Sequence, residues 1–462
     1  MLFNSFEFLL FFLITTPLYF LLEHKYRWML LLVASCFFYM FFKPVYILIL
    51  AFTIIIDYFV GIALEKESNK KTKKLILVLS LIANVGILVV FKYWNFLSEN
   101  LNILLAVFGT PKKVPLLEIL LPIGLSFHTF QAMSYTIEVY RGKQKAEKHF
   151  GIYSLYVMFY PQLVAGPIER PQNILHQLHE KVHFSYANLK TGLLFILIGL
   201  VKKMVIADRM GGYVDSFYGD MNSMTFIPTV LAIIFYSFQI YCDFSGYSSI
   251  AIGTAKCLGI NLMMNFDKPY QGTSIGDFWR RWHISLSTWF RDYVYFPLGG
   301  SRGSKIETIR NISIVFMLSG IWHGANWTFV VWGAIHAMFL IFENLTDKSP
   351  TIIRAKILRQ LIVFTIVSLA WIFFRSQNFD QAFSVFRKLA ELNIDWRLGQ
   401  VSAELSPFNL LLCFIMIPLL FIIDNIKMST YRKHLLLFFI VGTLLIILFG
   451  KSNEAQFIYF QF

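Results

Sequence analysis

The chain has 462 residues, of which 57% are hydrophobic and only 15% are charged. Because a soluble domain carries about 25% charged residues, this composition excludes an ordinary soluble enzyme and indicates a membrane protein. The net charge of +14 does not predict nucleic-acid binding. The basic residues cluster in short connections such as Lys202–Lys203 and Lys427–His434, and short basic loops are retained on the cytoplasmic side of a membrane.

Apolar runs recur along the whole length of the chain. Some are shorter than the roughly 20 residues that a perpendicular span needs, so they fit half-helices or buried helices as well as complete crossings. We therefore predict an all-α polytopic membrane protein with about ten to twelve crossings, in one domain that comprises residues 1–462. The runs are Phe6–Leu22, Met29–Phe42, Val45–Leu64, Leu75–Tyr93, Leu116–Val139, Leu193–Val205, Phe226–Ile240, Ile312–Phe329, Val330–Phe342, Ile357–Phe374, Leu410–Ile423 and Leu435–Leu448.

The first run lacks the features of a cleaved signal peptide. No basic residue precedes it, Glu7 lies within it, and no small-residue cleavage site separates it from the basic stretch His24–Arg27. We expect it to stay in the protein as a helix.

Short basic connections predict the orientation of the chain. Glu65–Lys74 (EKESNKKTKK) and Arg141–His149 (RGKQKAEKH) are rich in lysine, so both are placed in the cytoplasm. This assignment leaves the N-terminus outside and places the turn His24–Arg27 (HKYR) in the cytoplasm as well, which is self-consistent. Basic segments next to a membrane attract anionic headgroups, so membrane lipids are predicted partners.

No metal site is predicted. The four cysteines are scattered without a C-x-x-C pair, so neither a disulfide framework nor a thiolate site is indicated. His176 and His179 lie three residues apart in the polar break Asn173–Leu189 and could share a helical face, but without an added carboxylate or cysteine ligand the pair does not predict a metal site. We interpret the break as a solvated loop, and the later polar region 376–406 as a cap or an amphipathic excursion before the last two spans.

The segment Asp277–Gly303 (DFWRRWHISLSTWFRDYVYFPLGGSRG) is too charged to cross a bilayer, yet it contains three tryptophans and three phenylalanines. If it forms one helix, residues about 100° apart make an aromatic stripe and a cationic stripe. The aromatic stripe is Trp279, Trp282, His283, Leu286 and Phe290, and the cationic stripe is Arg280, Ser287 and Arg291. Two interpretations stay open: an interfacial amphipathic helix with snorkelling arginines, and a re-entrant helix that lines a polar cavity covered by protein or water. The LGGSRG stretch offers flexible backbone and an arginine for a phosphate.

The segment Ser319–Trp327 (SGIWHGANW) places His323 inside a long apolar run. An ionisable side chain at bilayer depth costs a few kcal/mol and is a functional candidate by default, although a lone histidine there also serves as a structural hydrogen-bonding group. A buried neutral imidazole is suited to act as a general base toward a hydroxyl. Asn326 and Trp327 lie about one turn away, where we expect their N–H groups on the same side as the imidazole.

Three glycines around this histidine, Gly320, Gly324 and Gly333, indicate close approach of neighbouring backbones. His336 lies thirteen residues after His323. On an unbroken helix that separation is about 220° and roughly 20 Å, so the two imidazoles cannot bind one metal ion.

These residues resemble the motifs of the membrane-bound O-acyltransferase (MBOAT) family. Trp322–Gly324 is its W-H-G motif, preceded by FWRRWHISLSTWFRDYVYFPLGG. The chain is most similar to the bacterial branch of alginate O-acetyltransferase membrane subunits and peptidoglycan O-acetyltransferases. The LGGSRG signature and the extension past Arg375 favour that branch over the shorter D-alanyl transferases of teichoic acids. Further matching blocks are LLPIGLSFHTFQ (Leu120–Gln131, with His128 where relatives often have an aromatic), YPQLVAGPIERPQ (Tyr160–Gln172), YCDFSGYSSIAIG (Tyr241–Gly253), NFDKPY (Asn265–Tyr270) and AWIFFRS (Ala370–Ser376).

The resemblance implies a helical bundle with re-entrant or amphipathic helices around a central catalytic cavity. N-terminal helices would occupy 1–110, the family core 115–376, and a C-terminal extension with the last spans 377–462. His323 matches the catalytic histidine of the W-H-G motif, and His283 matches a second family histidine with a supporting or donor-side role. Donor-side or cavity-lining positions are Trp279, Arg280, Arg281, Trp282, Ser287, Arg291, Asp243, Ser245, Trp322, Asn326 and Trp327.

The resemblance also implies acyl transfer across the membrane. We expect an acetyl group to pass from a cytoplasmic thioester, acetyl-CoA or an acylated carrier protein, to the outer side of a bacterial inner membrane for O-acetylation of an envelope polysaccharide such as an alginate-like polymer or peptidoglycan. No tightly bound cofactor is expected. His323 either accepts the acyl group or acts as a base, and both possibilities stay open. Neighbouring N–H donors would stabilise the oxyanion.

For this branch the resemblance implies a periplasmic SGNH-type esterase-like partner whose serine is the immediate acceptor. The sequence shows no G-x-S-x-G elbow and no soluble polysaccharide-binding domain, which fits such a two-component system. Two alternatives remain. One is transfer of D-alanine or another acyl group to teichoic acid or another glycan. The other is a non-enzymatic transporter, which we would expect to contain paired half-repeats with broken helices. The sequence shows no such repeats.

Overall fold

A computed structural model shows the all-α architecture that the composition predicts. Helices and short turns account for the regular structure, and no strand occurs in the described ranges. The chain divides into two compact units, Met1–Phe195 with Ile250–Met263, and Ile196–Ser249 with Met264–Phe462. The structure describes residues 1–110, 112–221, 224–346, 355–394, 406–451 and 457–458.

The first unit contains the N-terminal apolar runs as helices. Polar residues mark their starts: the Ser5 side chain accepts a hydrogen bond from the N–H of Phe8, and Asn69 accepts from Lys71 and Thr72, which satisfies donors that the first turn leaves unpaired. The helices are α1 (Phe6–Leu21), α2 (His24–Met40), α3 (Ile47–Lys66), α4 (Lys70–Leu88), α5 (Trp94–Val107), α6 (Leu125–Tyr140), α7 (Phe150–Met158), α8 (Pro171–His179) and α9 (Tyr186–Leu200), the last of which continues into the second unit.

A π-helical turn, Val201–Ala207, follows α9 in the second unit. It contains Lys202 and Lys203, which the sequence pattern assigns to a short basic connection. The two lysines do not lie in a solvated connection, because both are buried. The Lys202 ammonium pairs with Asp424 at 2.6 Å, and that of Lys203 pairs with Asp208 and Asp243 at 2.7 and 2.6 Å. A buried ammonium group persists only when it is paired in this way.

The helices of the second unit hold the motifs that the sequence singled out. They are α10 (Asp208–Gly219), α11 (Phe226–Cys257, whose end lies in the first unit), α12 (Ile275–Arg281), α13 (Ile284–Phe290), α14 (Lys305–His323), α15 (Trp327–Thr346), α16 (Lys356–Arg375), α17 (Phe379–Glu391), α18 (Pro407–Asn425), α19 (Met428–Lys433) and α20 (Leu435–Phe449).

Helices α14 and α15 form a tight hairpin, which confirms the close backbone approach predicted from the glycines. A Cβ on Gly333 would collide with the carbonyl oxygen of Phe316, and one on Gly320 would collide with that of Phe329. A capping box between Ser304 and Glu307 sets the start of α14. The hairpin therefore holds the end of α14 in a defined position.

Six helical stretches in the described residues are long and apolar enough to cross a membrane, and the protein is accordingly a multi-pass membrane protein. Two further apolar helices, Phe6–Leu21 and Leu435–Phe449, are shorter. The run Leu116–Val139 is helical only from Leu125, and the run Ile312–Phe329 breaks after His323. The stretches are Pro44–Lys66, Lys70–Val107, Phe226–Cys257, Trp327–Thr346, Lys356–Arg375 and Pro407–Asn425.

Two polar regions between the apolar runs contain helices. The break Asn173–Leu189 is interpreted as a solvated loop, but α8 covers its first part and α9 begins at Tyr186 within it. Pro171 at the first position of α8 and the buried Ile174, Leu175 and Leu178 favour a packed helix there. Helix α17 occupies the first part of region 376–406 and buries Ala382 and Val385, in agreement with an amphipathic excursion; residues 395–405 lie outside the described ranges.

Candidate active site

His283 lies at a break between two short helices. α12 ends at Arg281 and α13 begins at Ile284, and His283 between them has φ 43°, in the left-handed region. That conformation costs a residue with a Cβ of the order of 1–3 kcal/mol and persists only where the surrounding structure holds it. The single helix assumed for the aromatic and cationic stripes is therefore wrong, because the chain turns at Trp282–His283.

Asn265 orients the buried His283 imidazole. The Asn265 Oδ1 atom accepts from the backbone N–H and the hydroxyl of Ser285 at 3.2 and 2.9 Å, which identifies it as the carbonyl oxygen. The His283 Nδ1 atom lies 3.2 Å from the same oxygen and must therefore donate its proton to it. Burial lowers the pKa of His283, so the ring is neutral and its lone pair lies on Nε2.

His323 is the last residue of α14 and is buried among aromatic rings. The ring centroids of Trp322, Trp332 and Phe374 lie 4.9, 5.1 and 5.2 Å from that of His323, each in an edge-to-face arrangement. The His283 ring centroid lies 6.5 Å away. The structure thus brings together the two histidines predicted to be catalytic, and it surrounds them with apolar surface that strengthens electrostatic interactions.

A third buried histidine, His336, adjoins this pair and is absent from the predicted set. Its Nδ1 accepts from the indole Nε1 of Trp279 at 3.3 Å, and the Trp332 ring lies 5.1 Å from both His336 and His323. The angle calculated for an unbroken helix does not apply, because the chain breaks at Gly324. The residue that links them is Trp332, one turn before His336.

A cavity of about 610 Å³ adjoins this cluster through Trp279, which bonds to His336; the three histidines themselves do not line it. Trp279 and Phe316 form part of its wall, and Ser319, about one helical turn before His323, forms another part. Arg280, Ser287 and Arg291 also line it, so the proposed cationic stripe and part of the aromatic stripe contribute to one wall. The Arg280 and Arg291 side chains are 72% and 53% exposed, which places two cationic groups at the cavity mouth.

Other predicted positions lie outside the wall of this cavity. Arg281 pairs with Asp277 and Asp267 at 3.0 and 3.7 Å, and Trp282 packs against Trp371 with ring centroids 5.1 Å apart. Both side chains thus make structural contacts: an ion pair for Arg281 and ring packing for Trp282.

The predicted oxyanion donors also have other contacts. The Asn326 amide donates to the carbonyl of Gln377 at 2.7 Å and its oxygen accepts from the N–H of Thr328 at 3.0 Å, so Asn326 caps α15 instead of facing His323. The Trp327 side chain is 50% exposed. Trp322, by contrast, contacts both histidines, with ring centroids 4.9 and 6.1 Å from His323 and His283.

Asp243 and Ser245, predicted as cavity residues, lie on α11 away from the wall. Asp243 pairs with Lys203 and accepts from the N–H of Ile458 at 2.7 Å, while Ser245 is buried. Their neighbour Phe244 contacts the His283 ring at a centroid distance of 4.6 Å. Packing of Phe244 against the imidazole therefore helps to hold His283 in place.

Comparison with known proteins places this geometry in context. Residues 18–374 match the model of the membrane-bound O-acyltransferase family. The chain is 36% identical over 408 residues to the peptidoglycan O-acetyltransferase of Helicobacter pylori, covering 82% of this chain and 76% of that protein. It is 36% identical over 425 residues to a probable alginate O-acetylase of Azotobacter vinelandii, covering 90% and 84%. The teichoic acid D-alanyltransferase of Bacillus subtilis is 29% identical over 278 residues, covering 58% and 68%.

Proposed function

Because this chain belongs to the membrane-bound O-acyltransferase family and is an O-acyltransferase, we propose that it transfers an acetyl group from a thioester donor to a hydroxyl through His323 and His283. The observation that carries this proposal is the 6.5 Å separation of the two buried imidazoles beside a cavity with arginines at its mouth. A buried neutral base close to a substrate-sized cavity supports general-base acyl transfer.

The donor is proposed to occupy the cavity beside Trp279. Its volume of about 610 Å³ lies within the range of roughly 300–1,000 Å³ for small-molecule sites. Arg280 and Arg291 would pair with the phosphates of acetyl-CoA or of the phosphopantetheine of a carrier protein, since guanidinium groups bind phosphate oxygens well. The apolar wall would hold the pantetheine arm and direct the thioester toward Ser319 and the end of α14.

The chemical step needs one proton acceptor that later returns the proton. The acceptor hydroxyl attacks the thioester carbonyl as His323 takes its proton. The tetrahedral oxyanion then collapses, the C–S bond breaks, and the imidazolium protonates the leaving thiolate. In the covalent alternative the His323 ring attacks the thioester carbonyl, the C–S bond breaks, and the thiolate takes the N–H proton of the ring and leaves as the thiol. The acceptor hydroxyl then attacks the acyl-imidazole while its proton passes to His283, the acyl–nitrogen bond breaks, and the proton returns to the His323 ring. His283, whose lone pair lies on Nε2, would serve as the second base.

The acceptor is proposed to be an envelope polysaccharide in a bacterial inner-membrane pathway. The names of the relatives at 36% identity specify acetylation of peptidoglycan or alginate, whereas the D-alanyltransferases are more distant. The immediate acceptor would be a serine of a periplasmic SGNH-type partner, which then modifies the polymer.

The test measures base-labile acetate on envelope polysaccharides of cells that carry the wild-type chain or His323→Ala. His434→Ala is the matched control, because His434 is exposed at the end of α19. Loss of acetate in His323→Ala alone, at equal protein level, supports the proposal and identifies the polymer. Loss of D-alanine esters instead would select the teichoic acid alternative. Unchanged esters in both variants would contradict an acyl-transfer role for His323 and favour a transporter.

A further inference from the structure

A second cavity, of about 180 Å³, lies in the first unit and has no part in the acetyl transfer proposed above. Its wall comes from segments that are distant in sequence: the first turns of α2 and α7 and the C-terminal end of α8. Five of its lining side chains carry basic groups, namely His24, Lys25, Arg27, His149 and His179. The turn His24–Arg27 and the end of Arg141–His149, both predicted to be cytoplasmic, therefore meet at one place.

Arg27 supplies a buried positive charge to this cavity. The residue is only 9% exposed, and its guanidinium donates to the carbonyl oxygens of Phe20, Leu22 and Val182 at 3.3, 3.1 and 2.5 Å. Carbonyl groups do not neutralise a charge, and within the described ranges Arg27 forms no ion pair with a carboxylate. The acidic groups that contact the lining are Glu23, bound to Lys25 at 2.8 Å, and Glu147, bound to His179 at 2.7 Å.

The three carbonyl bonds use three of the five N–H donors of a guanidinium, and the Arg27 guanidinium also contacts the Tyr19 side chain, whose ring centroid lies 4.9 Å away. A buried charge without a counter-charge is costly, so an anion in the cavity would stabilise it. The Nδ1 atom of His24 is also buried without a protein partner. The Nδ1 atom of His149 accepts from the N–H of Ile152 at 3.1 Å, which leaves the proton of a neutral ring on Nε2.

The N-terminal ends of two helices add to the positive electrostatic potential of this cavity. α2 begins at His24 and α7 begins at Phe150, and the N-terminal end of a helix carries a partial positive charge that favours anions. The aromatic rings of Tyr19 and Trp28 also line the cavity. Such rings are common at the level of lipid headgroups.

We propose that this cavity binds a phosphate group at the cytoplasmic face, carried by an anionic phospholipid or by a soluble phosphate ester. A volume of about 180 Å³ is several times the roughly 30 Å³ share of a water molecule and below the roughly 300 Å³ at which sites for whole small-molecule ligands begin. The size thus selects a phosphate headgroup over a nucleotide.

The experiment titrates the detergent-purified full chain with phosphatidylglycerol, phosphatidylcholine or glycerol phosphate and follows the rise in Tm. The test variant is the double substitution His24→Gln, Lys25→Gln, which keeps Arg27 and its bonds to three carbonyls. The control is Lys71→Gln, an exposed lysine in another connection predicted to be cytoplasmic. Loss of one hydrogen bond to a charged group is worth about 1.5–3 kcal/mol, which corresponds to a loss of at least about tenfold in affinity.

We expect phosphatidylglycerol to raise Tm at lower concentration than phosphatidylcholine, the double variant to need at least about ten times more, and Lys71→Gln to match the wild type. Binding of phosphatidylglycerol but not glycerol phosphate identifies a lipid site, and equal binding of both identifies a soluble phosphate site. Identical titrations of the double variant and the wild type would overturn the proposal. So would the absence of any preference for phosphatidylglycerol or glycerol phosphate, which are anionic, over the zwitterionic phosphatidylcholine. Acetate content does not enter this readout, so its outcome is separate from that of the proposed function.

Discussion

Asn265 provides the sharpest test of the site, because it holds His283 without being placed to react. Its side chain makes four hydrogen bonds: it accepts from His283 Nδ1 and from the N–H and hydroxyl of Ser285, and it donates to the Ser248 hydroxyl at 3.2 Å. Asn265→Ala removes all four and leaves three buried donors unsatisfied, at about 1–3 kcal/mol each. A general base contributes typically about 10²–10⁴-fold to a rate, so we expect kcat to fall at least about 100-fold.

Asn265→Asp separates orientation from stability. A carboxylate keeps an acceptor for all three donors, so the fold should persist, and its charge favours the imidazolium and raises the pKa of His283. If the neutral ring is the active form, the acidic limb of the pH–rate profile moves to higher pH than in the wild type, in which burial lowers that pKa. The assay is acetyl transfer in proteoliposomes between about pH 5 and 9, a window chosen around the ordinary imidazole pKa.

Ser248→Ala is the matched control for both variants, because it removes only the fourth hydrogen bond and leaves His283 held. It should retain activity to within a few fold. An Asn265→Ala protein of normal Tm with wild-type kcat, or an Asn265→Asp protein with an unshifted acidic limb, would refute the assignment of His283 as an oriented neutral base.

Three further predictions concern packing, donor binding and buried charge. Gly333→Ala should lower Tm, since overpacking between α14 and α15 costs about 1–3 kcal/mol; Gly86→Ala, in a helix with open space at its Cβ, should raise Tm instead, and equal effects would contradict the tight hairpin. Arg291→Gln should raise KM for the thioester about tenfold with kcat nearly unchanged, whereas the exposed Arg432→Gln should change neither; a fall in kcat alone would place Arg291 elsewhere in the mechanism. Lys203→Met should destabilise the second unit by about 3–5 kcal/mol, because it leaves two buried carboxylates without their cation, and a wild-type unfolding midpoint in urea would argue against that network.

The sequence by itself determined the class of the protein and the positions of most helices, and it indicated the two histidines that we propose as catalytic. Hydrophobicity and helix propensity are properties of neighbouring residues, so the apolar runs, the W-H-G histidine and the glycine-marked hairpin can all be identified without knowledge of the fold. Sequence similarity then supplied the proposed chemistry, because His283 and His323 lie within residues 18–374, which match the family model.

Only the tertiary structure decided how these parts meet. The turn at Trp282–His283 has no local signal as strong as glycine or proline, and the Asn265 bond that selects the tautomer of His283 joins residues eighteen positions apart. Lys203 has the composition of a cytoplasmic loop residue but is buried, because Asp208 and Asp243 neutralise it. His336 joins the site through Trp279 and Trp332. Each of these features depends on which distant side chains become neighbours, and the free energy of a buried charge or imidazole depends on those neighbours more than on the residue itself.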